Sequence, residues 1–193
     1  MKMKVGMIGL GCAGEAMSRR MIKAGHEVWG YRNDYDKASE QYEAGYISGC
    51  ATSLKYLVRA VKTDGKKYTS AGSVPGIFQL AIPKESINEV MDELLKFCSE
   101  GDIIINYCNC DTKDNMAWSE YLLKLGVQYI DAGIVGGISG LEHGYSLVVT
   151  GGKYAVDTCR SIFDAISTGI RPSTTKNNYV LYPQDYGWIY RNW

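Results

Sequence analysis

The feature that most constrains this chain is the turn Gly9-Leu10-Gly11-Cys12-Ala13-Gly14, together with what flanks it. The apolar run Val5-Gly6-Met7-Ile8 leads in, and the chain leaves as a helical pattern with Ala13, Met17, Met21 and Ala24 on one face. After Gly25-His26-Glu27 comes a second short apolar stretch, Val28-Trp29-Gly30-Tyr31. Strand, glycine turn, helix and strand within about 30 residues is the setting in which Gly-x-Gly-x-x-Gly binds a dinucleotide. Gly9 makes the tight turn, Gly11 lets the backbone approach a pyrophosphate, and Gly14 lets the helix pack closely. With Leu10, Cys12 and Ala13 between them, these residues place unpaired N–H groups and the positive end of a helix dipole at the phosphates.

Past the second strand stands Arg32-Asn33-Asp34, followed by a polar helical stretch to about Glu43. This is the position, roughly 20 residues after the glycines, where a side chain meets the adenosine ribose. A carboxylate there suits the 2′-hydroxyl of NAD; a guanidinium suits a 2′-phosphate. Arg32, with Asn33 adding a hydrogen bond, therefore favours NADP, while Asp34 keeps NAD open as the alternative.

Further along, alternating patterns continue. Gly45 to Cys50 is turn-rich with room for a short third strand, and Thr52 and Ser53 are N-cap candidates for a helix carrying Leu54, Leu57, Val58 and Val61. A polar, glycine-dotted loop over 63–73 precedes the strand Ile77 to Ile82, which Pro83 closes. Ile87, Val90, Met91, Leu94 and Phe97 recur at helical spacing, and Ile103-Ile104-Ile105 reads as a buried strand. Asp111 is expected to cap a helix with Trp118, Tyr121, Leu122 and Leu125 on its inner face, before another strand from Val127. Strands alternating with helices predict an α/β, Rossmann-type, doubly wound and mostly parallel sheet in a single domain. The glycine turn, the segment with Ala81 and Ile82, and the segment after Ile105 should then share one crevice beyond the strands' carboxyl ends.

Composition narrows the remaining classes. Lys+Arg and Asp+Glu are equal at 21 each in 193 residues, which gives no electrostatic pull toward nucleic acid or an anionic membrane. No apolar run approaches the ~18 residues that span a bilayer. The opening Met1-Lys2-Met3-Lys4 runs into the first strand without a separate signal-peptide segment. The six cysteines, at 12, 50, 98, 108, 110 and 159, form no paired framework, so the expectation is reduced thiols in the cytoplasm. His26, His143 and Cys108-x-Cys110 lack the spacing of a metal site, and no Ser/His/Asp arrangement suggests itself.

Two later stretches narrow the reading further: Asn106-Tyr107-Cys108-Asn109-Cys110, and the run from Asp131-Ala132-Gly133 through Gly136-Gly137 to Gly140-Leu141-Glu142-His143-Gly144-Tyr145. With Val5 to Gly11 and Gly25-His26-Glu27-Val28, they resemble the NADP-binding domain of 6-phosphogluconate dehydrogenase, in the shorter bacterial form, within the β-hydroxyacid dehydrogenase group. The resemblance covers residues 3 to 166. It implies a crevice that holds NADP(H) and 6-phosphogluconate or a related sugar acid. It places Asn109 near nicotinamide and substrate, and Val135, Gly136 and Gly137 on the family's Ser-Gly-Gly substrate-binding segment.

The chain also departs from that pattern. Val135 replaces the substrate-binding serine, Ala13 replaces a methionine in the glycine turn, and Tyr107 and Cys108 replace two glycines, which is expected to narrow the approach to the nicotinamide. No catalytic residue is identified: the family's lysine and glutamate belong to a later helical domain, and Lys176 does not reproduce the lysine motif. Residues 169–193 read instead as a short aromatic tail, after a nucleotide-binding domain at 1–168. Tyr179, Tyr182, Tyr186, Trp188, Tyr190 and Trp193 should fold back over the sheet or dock onto a second copy. Two functions follow: an oxidoreductase domain, weak or inactive by itself, or a module that binds NADP without turnover.

Overall fold

A parallel strand needs a crossover long enough to carry a helix, and the spacing of apolar runs supplies one after nearly every strand. The computed structural model describes residues 2–62, 75–135, 139–167 and 188–191. Strand β1 (Lys4–Ile8) leads through the glycine turn into α1 (Cys12–Lys23), then β2 (Glu27–Tyr31), α2 (Tyr35–Glu43), β3 (Gly49–Ala51) and α3 (Leu54–Lys62). The second half holds β4 (Ile77–Leu80), a 3₁₀ turn η1 (Lys84–Ser86), α4 (Ile87–Leu95), β5 (Ile103–Asn106), α5 (Thr112–Lys124) and β6 (Gln128–Val135). The short α6 (Gly140–His143), β7 (Ser146–Gly151), α7 (Lys153–Ile166) and β8 (Trp188–Arg191) complete it. The polar loop expected over 63–73 lies outside the described residues.

The strands lie side by side in the order β3-β2-β1-β4-β5-β6-β7-β8. All neighbours through β6 run parallel; β7 and β8 are antiparallel. The order reverses direction between β1 and β4, the kind of switch point that opens a crevice at the carboxyl ends of a doubly wound sheet. Alternation of side chains divides the core into two layers. Met7, Ile103 and Ile105 point to one face with Met17 and Met21 of α1 and Ile162 and Phe163 of α7. Ile8, Phe78 and Ile104 point to the other, beneath Leu57 of α3, Met91 and Leu94 of α4 and Leu122 of α5. No helix among the described residues is long and apolar enough to cross a membrane.

Two expectations change. Of the face assigned to α5, Leu122 is buried, whereas Tyr121 and Leu125 are exposed together with Met116 and Leu123. Trp118 is partly buried against the same core layer as Leu122. Asp111 occupies the N-cap position but its carboxylate makes no capping bond. In the tail, the backbone of 188–191 extends the sheet edge by pairing with β7, Tyr190 opposite Val149, rather than lying across a face. The other tail aromatics, Tyr179, Tyr182, Tyr186 and Trp193, fall outside the described residues.

Candidate functional site

The glycine turn sits at the β1–β4 switch point. Gly9 has φ +94°, and its N–H donates to the Tyr31 carbonyl at 2.9 Å. A methyl there would stand 2.3 Å from the Ala81 carbonyl oxygen and 2.7 Å from Ile82 Cγ2, so the turn is pressed against the end of β4. On Gly14 a methyl would stand 1.9 Å from the Gly9 oxygen and 3.3 Å from Ala81 Cβ. Its bareness thus seats the first turn of α1 on the loop itself and on Ala81. Gly11 differs: a methyl on it would meet nothing within 4 Å, and the residue is exposed. No side chain caps α1, and its first turn opens on exposed Gly11 and Cys12, with Ala13 half-buried and Gly14 buried behind them. Unused N–H groups, a dipole end and clearance over Gly11 fit a pyrophosphate.

Around this turn the polar side chains divide their work. The Leu10 carbonyl accepts from Arg32 Nη1 at 3.2 Å and from Gln41 Nε2 at 3.1 Å. Gln41 also donates to Glu15 Oε2 at 2.8 Å, and Glu15 pairs with Arg19 at 3.3 Å, whose guanidinium lies 4.0 Å above the Tyr46 ring. The Glu15 carboxylate in the first turn of α1 is therefore compensated. Asn33 accepts from the Tyr31 hydroxyl at 3.2 Å. Asp34 caps α2, accepting from the Lys37 N–H at 3.2 Å, and that bond holds its carboxyl below the usual range. Arg32 thus reaches the glycine turn while Asp34 turns to its own helix. Gln41 is a contributor that sequence reasoning misses, because no pattern marks a glutamine deep in a polar helix as a clamp on a loop 31 residues earlier.

At the ends of β5 and β6 a buried polar network shapes the loop that carries Asn109. Asn106, fully buried, donates through Nδ2 to the Tyr129 hydroxyl at 2.9 Å and to Asn115 Oδ1 at 3.2 Å, and accepts from the Cys108 N–H at 3.0 Å. Tyr129 in turn donates to Asn115 Oδ1 at 2.9 Å. Asp131 stands beside Asn106 in the parallel register, and burial lifts its carboxyl to about 6 despite a hydrogen bond from Asn115. Asn109 is exposed at the loop's tip.

The expectation that Tyr107 and Cys108 narrow the crevice is corrected, since both are buried on opposite faces of the sheet. The Tyr107 hydroxyl donates to Gln79 Oε1 at 3.0 Å inside the first core layer. Cys108 packs in the second, where burial pushes its thiol up to about 12 and leaves it protonated. Val135 is exposed at the end of β6. Gly136 and Gly137 lie outside the described residues.

A groove of ≈610 Å³ opens on the far flank of the β4 and β5 ends, between η1–α4 and α5, where Ile87, Asp111, Asp114 and Trp118 contribute to its wall. None of its lining residues belongs to the glycine turn. Gly9 to Gly14, Arg32, Ala81 and Ile82 form a candidate site separate from that groove.

Comparison with known proteins identifies the family and the fold. A family model described as the NAD binding domain of 6-phosphogluconate dehydrogenase matches residues 4–179. The NAD(+)-dependent, decarboxylating 6-phosphogluconate dehydrogenase of Haloferax volcanii is 28% identical over 169 residues, 86% of this chain and 51% of that one. The decarboxylating enzyme of Drosophila simulans is 28% identical over 166 residues, 84% of this chain and 32% of that one. Plasmodium falciparum 6-phosphogluconate dehydrogenase, whose structure is known with NADP+ and with 6-phosphogluconate, superposes with a TM-score of 0.75 at 23% identity, over 88% of this chain and 35% of that one. The 3-hydroxyisobutyrate dehydrogenase of Mycobacterium tuberculosis superposes with a TM-score of 0.73 at 18% identity, over 88% of this chain and 54% of that one. These two likenesses speak for the fold alone. The chain spans about half the length, or less, of the relatives it matches.

Proposed function

From the premise that this chain belongs to the family of the NAD-binding domain of 6-phosphogluconate dehydrogenase, an NAD(P)-binding dehydrogenase domain, we propose that its cofactor is NADP. The observation that carries the choice is the unequal use of the two ribose-side candidates. Arg32 is held against the glycine turn by the Leu10 carbonyl, while Asp34 is committed to capping α2. One of the guanidinium's five donors is used in that bond, and the rest suit a 2′-phosphate, with Asn33 beside it. Gly9 to Gly14 receive the pyrophosphate, Ala81 and Ile82 line the path from β4, and Asn109 stands near the nicotinamide.

A bound nicotinamide would supply hydride acceptance; the residues of this chain bind and orient. The substrate class is 6-phosphogluconate or a related sugar acid, met by Asn109, Val135, Gly136 and Gly137, the positions that match the family's substrate-binding segments. Positioned proton-transfer groups are typically worth 10²–10⁴-fold, and no lysine–glutamate pair of the family type has been assigned in this sequence. The isolated chain is therefore a slow oxidoreductase domain. Its rival is a module that binds NADP without turnover, favoured by Val135 standing where the family has a substrate-binding serine.

Titration of NADP and NAD against intrinsic tryptophan fluorescence tests the cofactor. NADP should bind more tightly, and Arg32→Gln should weaken NADP by roughly tenfold while moving NAD little. Preference of the unaltered chain for NAD overturns the reading. Adding 6-phosphogluconate and following NADPH then separates the two functions, since turnover at ordinary enzyme rates rejects the module.

A further inference from the structure

Arg20 lies two turns into α1, away from the glycine loop, yet its guanidinium gathers main-chain carbonyls from two distant elements. Nε donates to Ala165 O at 3.2 Å and Nη2 to Ser167 O at 2.8 Å, at the end of α7. Nη1 donates to Leu141 O at 3.1 Å and Glu142 O at 3.4 Å, in α6. A role confined to capping α7 needs only the first pair; the second goes to a separate element. The planar fork of arginine serves several acceptors at fixed angles, which a lysine ammonium cannot reproduce.

Tyr145 completes the junction. Its N–H donates to Ile166 O at 3.0 Å, and its ring is packed so closely on α6 that a methyl on Gly140 would stand 2.2 Å from Cζ. The buried phenol lies near enough to the Arg20 guanidinium to feel its charge. The segment from Ser139 to Tyr145 is thereby fastened to the helix whose N-terminus forms the candidate phosphate site.

We propose that Arg20 is a positioning residue that couples the glycine turn to the 139–145 segment, so that a dinucleotide seated on α1 tightens that segment. The inference rests on the dinucleotide reading of the preceding subsection and adds order to it: the cofactor prepares the stretch beside Gly136 and Gly137 for an acid substrate. A ligand that fixes the first turn of α1 removes freedom from every element clamped to that helix, and the second ligand then meets a segment already ordered.

Amide hydrogen exchange on peptides covering 139–145, in the full chain with and without saturating NADP, tests this. In the unaltered chain NADP should slow exchange there about fivefold or more, the lower end of ordinary coupling between sites. Arg20→Gln should abolish the slowing and, by reciprocity, weaken NADP by the same factor. Arg20→Lys, the milder variant should the first not fold, should lose most of the slowing while keeping the charge. If either folded variant keeps the slowing with only a lower unfolding temperature, Arg20 is a structural cap and the proposal falls. Binding of NADP to the unaltered chain with no change at 139–145 also overturns the coupling but leaves the dinucleotide reading standing. No binding of either dinucleotide overturns both.

Discussion

Asp131 shows at the scale of one residue how the crevice constrains its own chemistry. The carboxyl is asked to ionise half-buried at the end of β6, and burial lifts it from 3.8 to about 6. Its folded value is above its unfolded one, so its favourable contribution is complete below pH 3.8 and is lost as the pH rises through 6. Asp131→Asn keeps an acceptor for Asn115 without a charge. It should match the parent near pH 4 and exceed it at pH 8 by on the order of 1–2 kcal/mol, a shift worth roughly 3 kcal/mol discounted by about half for solvent contact. Urea unfolding at the two pH values checks it; an equal difference at both would show that the charge is not resisted.

Residues differ in how far sequence exposes them. Gly9, Gly11 and Gly14 are legible because their spacing follows from what a backbone turn under a helix must do. Asn106 and Gln41 are not, since a buried amide is defined by partners 23 and 31 positions away. The placement of Tyr107 fails differently: the glycines it replaces suggested a side chain in the crevice, but pleat alternation turns it into the core.

Among elements, helices and strands follow closely from apolar period, with the exception of α5. Trp118, Tyr121, Leu122 and Leu125 keep helical spacing, but the helix touches the sheet along a narrower stripe than that pattern fills. Charge ties between elements are less visible still. Lys62, at the end of α3, pairs with buried Asp102 before β5 at 2.5 Å. Asp102 also accepts from the N–H groups of Gly76 at 2.9 Å and Ser99 at 2.8 Å. This one carboxylate gathers α3, the approach to β4 and the start of β5. Asp102→Ala leaves the Lys62 ammonium with the Ser99 hydroxyl, at 3.1 Å, as its partner among the described residues and unpairs two amides, and should cost about 3 kcal/mol in denaturant unfolding. A loss below about 1 kcal/mol would mean that solvent reaches the pair.

At the scale of the whole molecule, the mostly parallel, doubly wound sheet is legible from the alternation of patterns, but the reversal at its far edge is not. Nothing in the run Ser146 to Gly151 announces that β7 opposes β6, because direction is a property of the connection rather than of the strand. β8 covers the outer edge of β7. Deleting 188–193 should leave that edge unpaired and raise concentration-dependent association in sedimentation velocity; an unchanged profile would show that the pairing does not protect it. Because β7 runs back along β6, α7 returns to the carboxyl ends of the parallel strands, where Ser167 bridges to Tyr145. Any polypeptide continuing past that point sets out from the same end of the sheet as the glycine turn, so the fold delivers the chain to that end without a further crossover.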